Sequence, residues 1–215
     1  MDSSYIKKRD AKSISRYRLK KRIHQIEKVL LDLTNGKAEG ILDIGTADGR
    51  VLAEITSRFS FTKVVGIEIL PDFAKIARQK INWVIQAKGE CLPLKKDSFG
   101  VILATAVIEH IKETSLFLDE CFNVLKSEGF LIITLPNPFF DFINGLFVNT
   151  YHVQRFTLGK IKQLLKAHNF KIEEATHFMI SPFFQFPFET IIEKFFRKIK
   201  MDFLLFNQLI VARKL

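Results

Sequence analysis

The ten residues ILDIGTADGR, from Ile41 to Arg50, combine features that suit the binding of a small charged ligand. A short apolar run containing Asp43 is followed by Gly45 and Gly49, after which a helical pattern begins. Gly45 allows a backbone conformation that a side chain would block, and Gly49 permits close approach at a helix start whose free N–H groups point toward a ligand. The stretch therefore predicts a ligand-binding turn between a buried strand and a helix.

A second acidic residue, Glu68, ends the next apolar run, KVVGIEI. A carboxylate in that place can accept hydrogen bonds from both hydroxyls of a ribose. Gly45 and Glu68 are 23 residues apart, close to the spacing of about 20 between a glycine turn and its ribose acid. Because a buried acid at a strand end is costly without a partner, we favour a functional role for it. Two cofactors fit this pair, a nicotinamide dinucleotide and S-adenosylmethionine.

The order of the small residues distinguishes these two cofactors. Dinucleotide sites use G-x-G-x-x-G to set a pyrophosphate on the helix N-terminus. Here the order is Gly45-x-Ala47-x-Gly49, and Asp48 would place a negative charge where the phosphates lie. A sulfonium cofactor has no phosphate and tolerates that acid, so S-adenosylmethionine is favoured.

Alternating strand and helix patterns surround these residues and predict a doubly wound α/β fold, a mostly parallel seven-stranded sheet with helices on both faces. Ligands of such sheets bind outside the carboxyl ends of the strands. Helices are predicted in ADGRVLAEITSRF, in PDFAKIARQK, from a Thr114 cap to Gly129, and from Thr157 to about His168. Strands are predicted in GILDIG, KVVGIEI, NWVIQA, SFGVILATA, FLIITLP, FKIEEATHF and LLFNQLIVAR.

Further motifs follow the first one in order: CLPLKKDSFGVILATAVIEHI, FNVLKSEGFLIITLPNP and HVQRFTLGKIKQLLKAHNF. Together with LDIGTADGR and the strand end at Glu68, they resemble successive motifs of the class I S-adenosylmethionine-dependent methyltransferases, especially the small-molecule group that contains the ubiquinone-biosynthesis type. The resemblance covers about residues 41–170. It implies that a methyl group passes from S-adenosylmethionine to a small acceptor, with S-adenosylhomocysteine as the product. An apolar or lipid-like acceptor is one form of this hypothesis.

The resemblance also implies roles for matching residues. Asp43 and Gly45 would line the methionine end of the cofactor, and Glu68 would hold the ribose. At the adenine, an ungapped count places Lys88 where the family commonly has an acid, whereas a shifted count places Glu90 there. The backbone of Gly89 is the contact we favour. Ala47 stands where the family usually has a second glycine. The full cofactor-binding set is Asp43, Gly45, Thr46, Ala47, Gly49, Glu68, Ile69, Gly89, Glu90, Ala104 and Thr105.

Two histidines are candidates for the general base that a hydroxyl or phenol acceptor would need, since the ordinary pKa of histidine is about 6.5. His110 follows the fourth strand on the expected methyl side, and His152 lies beyond the fifth strand. A positioning or structural role is the alternative for each. Cys91 and Cys121 lack a metal-like spacing, so we expect no metal site and no disulfide.

The formal net charge of +10 is unevenly placed, because residues 1–28 hold ten Lys and Arg against three Asp and Glu. We expect a basic N-terminal helical segment over residues 1–35 and the methyltransferase domain over residues 36–215. The basic segment can contact nucleic acid or an anionic membrane, or simply be a solvated helix face. An RNA methyltransferase and a catalytically silent cofactor-binding module therefore remain alternatives.

A Phe-rich insertion at about residues 178–200 either lines an apolar acceptor pocket, docks on lipid, or packs the last strands onto the sheet. Its part ETIIEKFFRKIK has basic and apolar faces, as membrane-surface helices and ordinary surface helices both do. The N-terminus is too charged for a signal peptide, and prolines and polar residues interrupt the apolar stretch 130–148. We expect a cytoplasmic protein with no transmembrane segment and leave its oligomeric state open.

Overall fold

A computed structural model of the chain describes residues 13–34, 37–140, 153–181 and 187–215. Two short 3-10 turns, Ile108–His110 and Asp202–Leu204, supplement the regular elements. The helices are α1 (Ser13–Thr34), α2 (Arg50–Arg58), α3 (Pro71–Ala77), α4 (Thr114–Val124), α5 (Leu158–Ala167) and α6 (Glu189–Lys198). The strands are β1 (Lys37–Ala38), β2 (Ile41–Ile44), β3 (Ser60–Phe61), β4 (Val64–Glu68), β5 (Val84–Gln86), β6 (Phe99–Thr105), β7 (Leu125–Pro136), β8 (Phe170–Phe178) and β9 (Asn207–Lys214).

Seven strands form one sheet in the order β5-β4-β2-β6-β7-β9-β8, and β1 pairs separately with β3. The pairs from β5 across to β7 are parallel, whereas β9 runs antiparallel to both β7 and β8. The prediction of a seven-stranded, mostly parallel sheet is therefore confirmed. Because the chain runs outward from β2 to β5 and then returns to β6 on the other side of β2, the topological switch point lies at the carboxyl end of β2.

Side chains that alternate along the central strands divide the core into two layers. Leu42, Ile102 and Ile133 belong to one layer, which α4 and α5 cover, while Ile41 and Ile132 belong to the other layer, which α1, α2 and α3 cover. Successive strand residues point to opposite faces, so nearly continuous apolar runs are what a sheet covered on both sides requires.

The helix α4 is shorter than its sequence predicts. Thr114 is the first helical residue rather than the cap, since Glu113 holds the cap position without a side-chain hydrogen bond, and the helix ends at Val124. Strand pairing with β6 begins at Leu125. Gly129 therefore does not close the helix. It is required inside β7, where an added Cβ would lie 2.8 Å from the Lys126 carbonyl oxygen.

The N-terminal helix α1 is packed against the rest of the fold. Ile23, Ile26, Val29 and Leu30 are buried in the layer shared with α2 and α3. Polar contacts also join α1 to α6, since the Tyr17 hydroxyl donates to Glu189 over 2.6 Å. Burial and this neighbouring carboxylate raise the pKa of Tyr17 far above its ordinary value. The division of the chain at residue 35 stays a prediction, but α1 shares the core of the domain.

None of the helices in the described parts of the chain is both long and apolar enough to cross a lipid bilayer.

Replacing Ile26 by alanine tests whether α1 contributes to the stability of the domain. Ile26 is fully buried, so we expect Ile26→Ala to lower the free energy of unfolding by about 2–4 kcal/mol, measured by urea denaturation. Leu31→Ala is the matched control on the same helix, because Leu31 is 58% exposed and its truncation should cost less than about 0.5 kcal/mol. Equal effects of the two substitutions would mean that α1 packs only loosely.

Candidate functional site

The turn after β2 is anchored on the end of β4. The backbone N–H groups of Gly45 and Thr46 both donate to the Ile67 carbonyl, over 2.8 and 2.9 Å. Gly45 has a φ of 72°, and an added Cβ would lie 2.4 Å from a methyl group of Val107. Only glycine meets both constraints, because this φ disfavours any side chain and Val107 occupies the space that a side chain would need.

Two alanines beside this turn also have left-handed backbone conformations. The φ angles are 51° at Ala47 and 55° at Ala106. A left-handed residue other than glycine costs about 1–2 kcal/mol and persists only where its surroundings hold it. At Ala47 the restraint is visible, because its N–H donates over 2.8 Å to the Glu68 carboxylate. The turn thus keeps its shape although alanine stands at one of the small-residue positions.

The Glu68 carboxylate joins the loops that follow β2 and β4. One oxygen accepts from the Ala47 N–H, and the other accepts from the Leu70 N–H over 2.9 Å. The residue is only 6% exposed, yet it lines a cavity at the carboxyl end of the sheet. Because a carboxylate offers about four lone-pair sites, Glu68 retains capacity to accept hydroxyl donors from a ligand.

A second buried acid, Asp43, lies in β2 below the turn and is 2% exposed. Burial raises its pKa to about 7, while the neighbouring Thr46 side chain acts in the opposite direction and the charge of Glu68 adds to the rise. An acid of this kind is protonated in a substantial fraction of molecules near neutral pH. A cation placed nearby would favour the ionised form.

The cavity has a volume of about 610 Å³, within the range of about 300–1,000 Å³ that is typical of small-molecule sites. Apolar side chains form much of its wall, including Ile44, Ile67, Phe73 and Ile111, and Lys88 lies beside its polar part. The structure brings the following predicted site residues together around it: Gly45, Ala47, Glu68, Ile69, Gly89, Glu90 and His110.

The remaining predicted residues of the turn lie behind the cavity wall. Thr46 is buried, and its methyl group packs over Gly66, where an added Cβ would approach it to 2.8 Å. Gly49 is the N-cap of α2 with a φ of 76°. Asp43 is buried beneath the turn. Each of these residues can shape the site, and their contact with a cofactor stays a prediction.

At the end of β6 the cavity wall lies further along the chain than predicted. Ala104 is fully buried in the core and Thr105 is half-buried, and neither lines the cavity. The next residues, Ala106 and Val107, form the wall instead. The sequence pattern points to the last strand residues, whereas the left-handed φ of Ala106 turns the chain into the site one residue later.

Phe73 was also missed, although its position carries a signal. It follows Glu68 by five residues and lies in the first turns of α3, which begins at Pro71. Phe73 is buried and lines the cavity. An apolar residue at the start of the helix that follows a strand-end acid points back toward that strand end, and this geometric rule could have predicted Phe73.

His110 lies at the cavity wall on the 3-10 turn that follows β6. The preceding residue, Glu109, is buried, and its backbone carbonyl accepts from Val153 and Gln154 over 2.9 and 3.1 Å. The side-chain amide of Gln154 donates to the Ile111 and Lys112 carbonyls over 3.0 and 2.8 Å. This network holds the turn that carries His110. The second candidate base, His152, lies outside the described residues.

The negative charge of Asp48 opposes dinucleotide binding less than the sequence predicts. Its carboxylate lies 2.7 Å from the Arg50 guanidinium and does not line the cavity. The charge that would repel phosphates is therefore compensated within the turn. The distinction between the two cofactors rests on the small-residue spacing and on the family match below.

In the described ranges, no group of three or more His, Cys, Asp or Glu side chains is placed to hold a metal ion. Cys91 is exposed, and Cys121 is a buried thiol whose pKa is raised by burial.

The chain is similar to methyltransferases in sequence and in fold. Residues 42–133 match the family described as "Methyltransferase domain". The chain is 29% identical over 139 residues to a ubiquinone/menaquinone biosynthesis C-methyltransferase of Wigglesworthia glossinidia brevipalpis, covering 58% of this chain and 55% of that protein. It is 26% identical over 165 residues to the mitochondrial ubiquinone biosynthesis O-methyltransferase of Rattus norvegicus, covering 66% and 47%. The chain thus spans about half the length of these relatives.

Solved structures agree with the fold. A SAM-dependent methyltransferase of Thermotoga maritima superposes with a TM-score of 0.70 at 19% identity, over 94% of this chain and 91% of that one. A SAM-dependent methyltransferase of Archaeoglobus fulgidus gives a TM-score of 0.65 at 19% identity, over 89% and 94%. At this level of identity the structures support the architecture alone.

Gly45→Ala tests the geometry of the turn. We expect a loss of about 1–2 kcal/mol in the free energy of unfolding from the left-handed backbone alone, with a further loss because the new methyl group would overlap Val107. Gly159→Ala is the control, since Gly159 is helical and its added Cβ would meet only Thr157 Oγ1 at 3.9 Å. That change should be neutral or stabilising by up to about 1 kcal/mol, and chemical denaturation compares the two. An equally tolerated Gly45→Ala would contradict the described turn.

Proposed function

We propose that the chain transfers a methyl group from S-adenosylmethionine to a small acceptor, because residues 42–133 match a methyltransferase domain and the curated relatives above are methyltransferases by name. The observation that carries this proposal is the Glu68 carboxylate, which faces the cavity beside the glycine turn at the topological switch point. The described residues suit the cofactor in charge, shape and donor chemistry.

Particular residues would hold each part of the cofactor. Glu68 would accept hydrogen bonds from the ribose hydroxyls, and the Gly89 backbone with Glu90 would meet the adenine. Ile69 and Phe73 offer apolar walls for its base. Asp43 lies behind Gly45, where a negative charge favours the cationic methionine end. The cofactor itself supplies an electrophilic methyl group on a sulfonium.

The chain contributes alignment to the reaction. In-line displacement needs the attacking atom and the methyl carbon held at close range, and such positioning supplies much of the rate enhancement of bimolecular transfers. The left-handed Ala106 and the network around Glu109 fix the turn that presents Val107 and His110 to the cavity. His110 would remove the acceptor proton if the acceptor is a hydroxyl or phenol.

We propose that the acceptor is small and apolar, such as a substituted aromatic ring. Two observations support this: Val107 and Ile111 line the cavity next to His110, and the relatives named above act in ubiquinone biosynthesis by their names. Whether carbon or oxygen receives the methyl group is left to experiment. A cytoplasmic location also stays a prediction.

Contacts made by basic residues of α1 weaken the alternative that this protein methylates a nucleic acid. Lys21 lies 2.8 Å from Glu189, the Arg18 guanidinium lies over the Phe206 ring, and burial lowers the pKa of Arg22, which faces the opposing charge of Glu109. Three of the basic residues of this segment thus serve contacts inside the protein. Phosphate binding would rely on the remainder and would weaken steeply with salt.

Glu68→Gln tests the proposed ribose contact. Glutamine keeps the size of the side chain but has one carbonyl acceptor for the N–H groups of Ala47 and Leu70. We expect affinity for S-adenosylhomocysteine to fall about 10- to 100-fold, as for loss of charged hydrogen bonds, measured by isothermal titration calorimetry. Glu174→Gln makes the same change at an exposed position of β8 and should leave affinity unchanged. Unaltered affinity in Glu68→Gln would place the cofactor elsewhere.

The raised pKa of Asp43 predicts pH-dependent binding of the cationic cofactor. The group holds its proton below a pKa of about 7, and a bound cation would release that proton. Affinity for S-adenosylmethionine should therefore rise about tenfold from pH 6 to pH 8 and then level off. The uncharged sulfur of S-adenosylhomocysteine should reduce this dependence, and Asp43→Asn should abolish it. A flat profile for the wild-type protein would remove Asp43 from the site.

His110→Ala separates binding from chemistry. Because His110 is placed to act on the acceptor, we expect turnover to fall about 100-fold or more, with cofactor affinity changed less than about threefold. The assay is transfer of a radiolabelled methyl group to phenolic test acceptors. A fully active variant would exclude His110 as the base, and wild-type protein that binds cofactor but transfers nothing would favour the silent module.

A further inference from the structure

The helix α6 buries acidic residues and exposes apolar ones, which is the reverse of an ordinary surface helix. A surface helix normally turns its apolar stripe toward the core and its charged face toward water. In α6 the two buried residues are the acids Glu189 and Glu193, which are 4% and 3% exposed. The apolar residues Ile192 and Phe196 are half-buried, and Ile191 and Phe195 are exposed on the outer face of the helix.

Polar contacts inside the protein fix this orientation. Glu189 accepts from the Tyr17 hydroxyl, and Glu193 accepts from the Met179 N–H over 3.0 Å. Lys21 lies 2.8 Å from Glu189 and 3.4 Å from Glu193. Rotating the helix to bury its apolar side would break these contacts, and an unpaired buried charge is costly. The outward apolar face is thus a built feature of the fold.

Four exposed apolar residues follow one side of α6 and its two cap positions, and we call them the α6 stripe: Phe188 at the N-cap, Ile191, Phe195, and Ile199 at the C-cap. They are 76%, 64%, 58% and 41% exposed, respectively. Their spacing of three, four and four residues places them on one side of the helix. Four large apolar side chains so aligned are not the scattered exposed residues that every protein surface has.

The exposed charged residues from Glu189 to Lys200 have one sign. Lys194, Lys198 and Lys200 are exposed, whereas both glutamates of α6 point inward. The outer surface of this helix therefore combines apolar side chains with basic side chains and no acid. This combination matches the chemistry of an anionic bilayer, which offers acyl chains beneath negative headgroups.

The strand that precedes α6 ends on the same side of the sheet as the candidate site. The end of β8, Phe178, pairs with Asn207 of β9, and Asn207 pairs with Pro136 at the end of β7. The chain enters α6 after this end of β8, so α6 follows from the carboxyl edge at which Gly45 and Glu68 line the cavity. Glu193 of α6 accepts from the N–H of Met179, the residue after β8, so the helix stays near this end of the sheet.

We propose that the α6 stripe docks this protein peripherally on an anionic lipid bilayer. The apolar side chains enter the boundary between headgroups and acyl chains, and the lysines meet the negative headgroups. A second copy of the chain is disfavoured as the occupant, because a two-fold contact would oppose lysines to lysines. The inference requires neither cofactor nor catalysis, so it stands or falls separately from the proposed function.

The test is flotation of the full chain with phosphatidylcholine vesicles, with and without phosphatidylglycerol. We expect binding to the phosphatidylglycerol vesicles and about tenfold weaker partitioning for Ile191→Asp and for Phe195→Asp, made separately. Leu116→Asp is the matched control, because Leu116 is 52% exposed on α4, and its partitioning should be unchanged. Thermal unfolding of each variant verifies that it is folded.

The double variant K194A/K198A tests whether the lysines beside the α6 stripe attract the negative headgroups. It should weaken binding to phosphatidylglycerol vesicles and reduce the loss of binding with added salt, while the weak binding to pure phosphatidylcholine stays the same. No vesicle binding by the wild-type protein would overturn the proposal, as would an equal loss in Leu116→Asp. A wild-type dimer in analytical ultracentrifugation that Phe195→Asp dissociates, without vesicle binding, would instead assign the stripe to self-association.

Discussion

The hydrogen bonds from Ala47 and Leu70 to the Glu68 carboxylate are the constraint on which the site depends. They join the loops after two neighbouring strands, so one side chain sets the distance between the walls of the cavity. The left-handed Ala47 can exist because this acceptor holds its N–H in place. A neutral or shorter side chain at position 68 would leave a backbone donor without its partner, so the turn and the proposed ligand contact would be lost together.

A second carboxylate beneath this one gives the site its electrostatic character. Burial keeps the pKa of Asp43 near neutrality, and the two acids lie close enough for Glu68 to add to that shift. A site that concentrates negative charge behind a narrow glycine turn favours cationic ligands over phosphates. Electrostatics and the spacing of the small residues therefore point to the same class of cofactor, although Arg50 compensates the charge of Asp48.

The sequence predicted the sheet well because apolar runs, helical spacing and strand-end acids are local signals. The candidate site residues Gly45 and Glu68 and the resemblance to a methyltransferase family could be predicted from the same kind of local signal. Features that depend on contacts between residues far apart in the sequence could not be predicted. The early end of α4 depends on pairing of Leu125 with β6. The outward stripe of α6 depends on Tyr17, which is 172 residues from its partner Glu189, so the pattern ETIIEKFFRKIK alone left the direction of its faces open.

The central claim is that Glu68 holds the ribose of S-adenosylmethionine in the cavity at the end of β4. A crystal structure of the complex with S-adenosylhomocysteine would test it. We expect the ribose hydroxyls within hydrogen-bond distance of the Glu68 carboxylate, with the methionine end beside Gly45. A ligand bound outside this cavity, or a ribose turned away from Glu68, would contradict the claim.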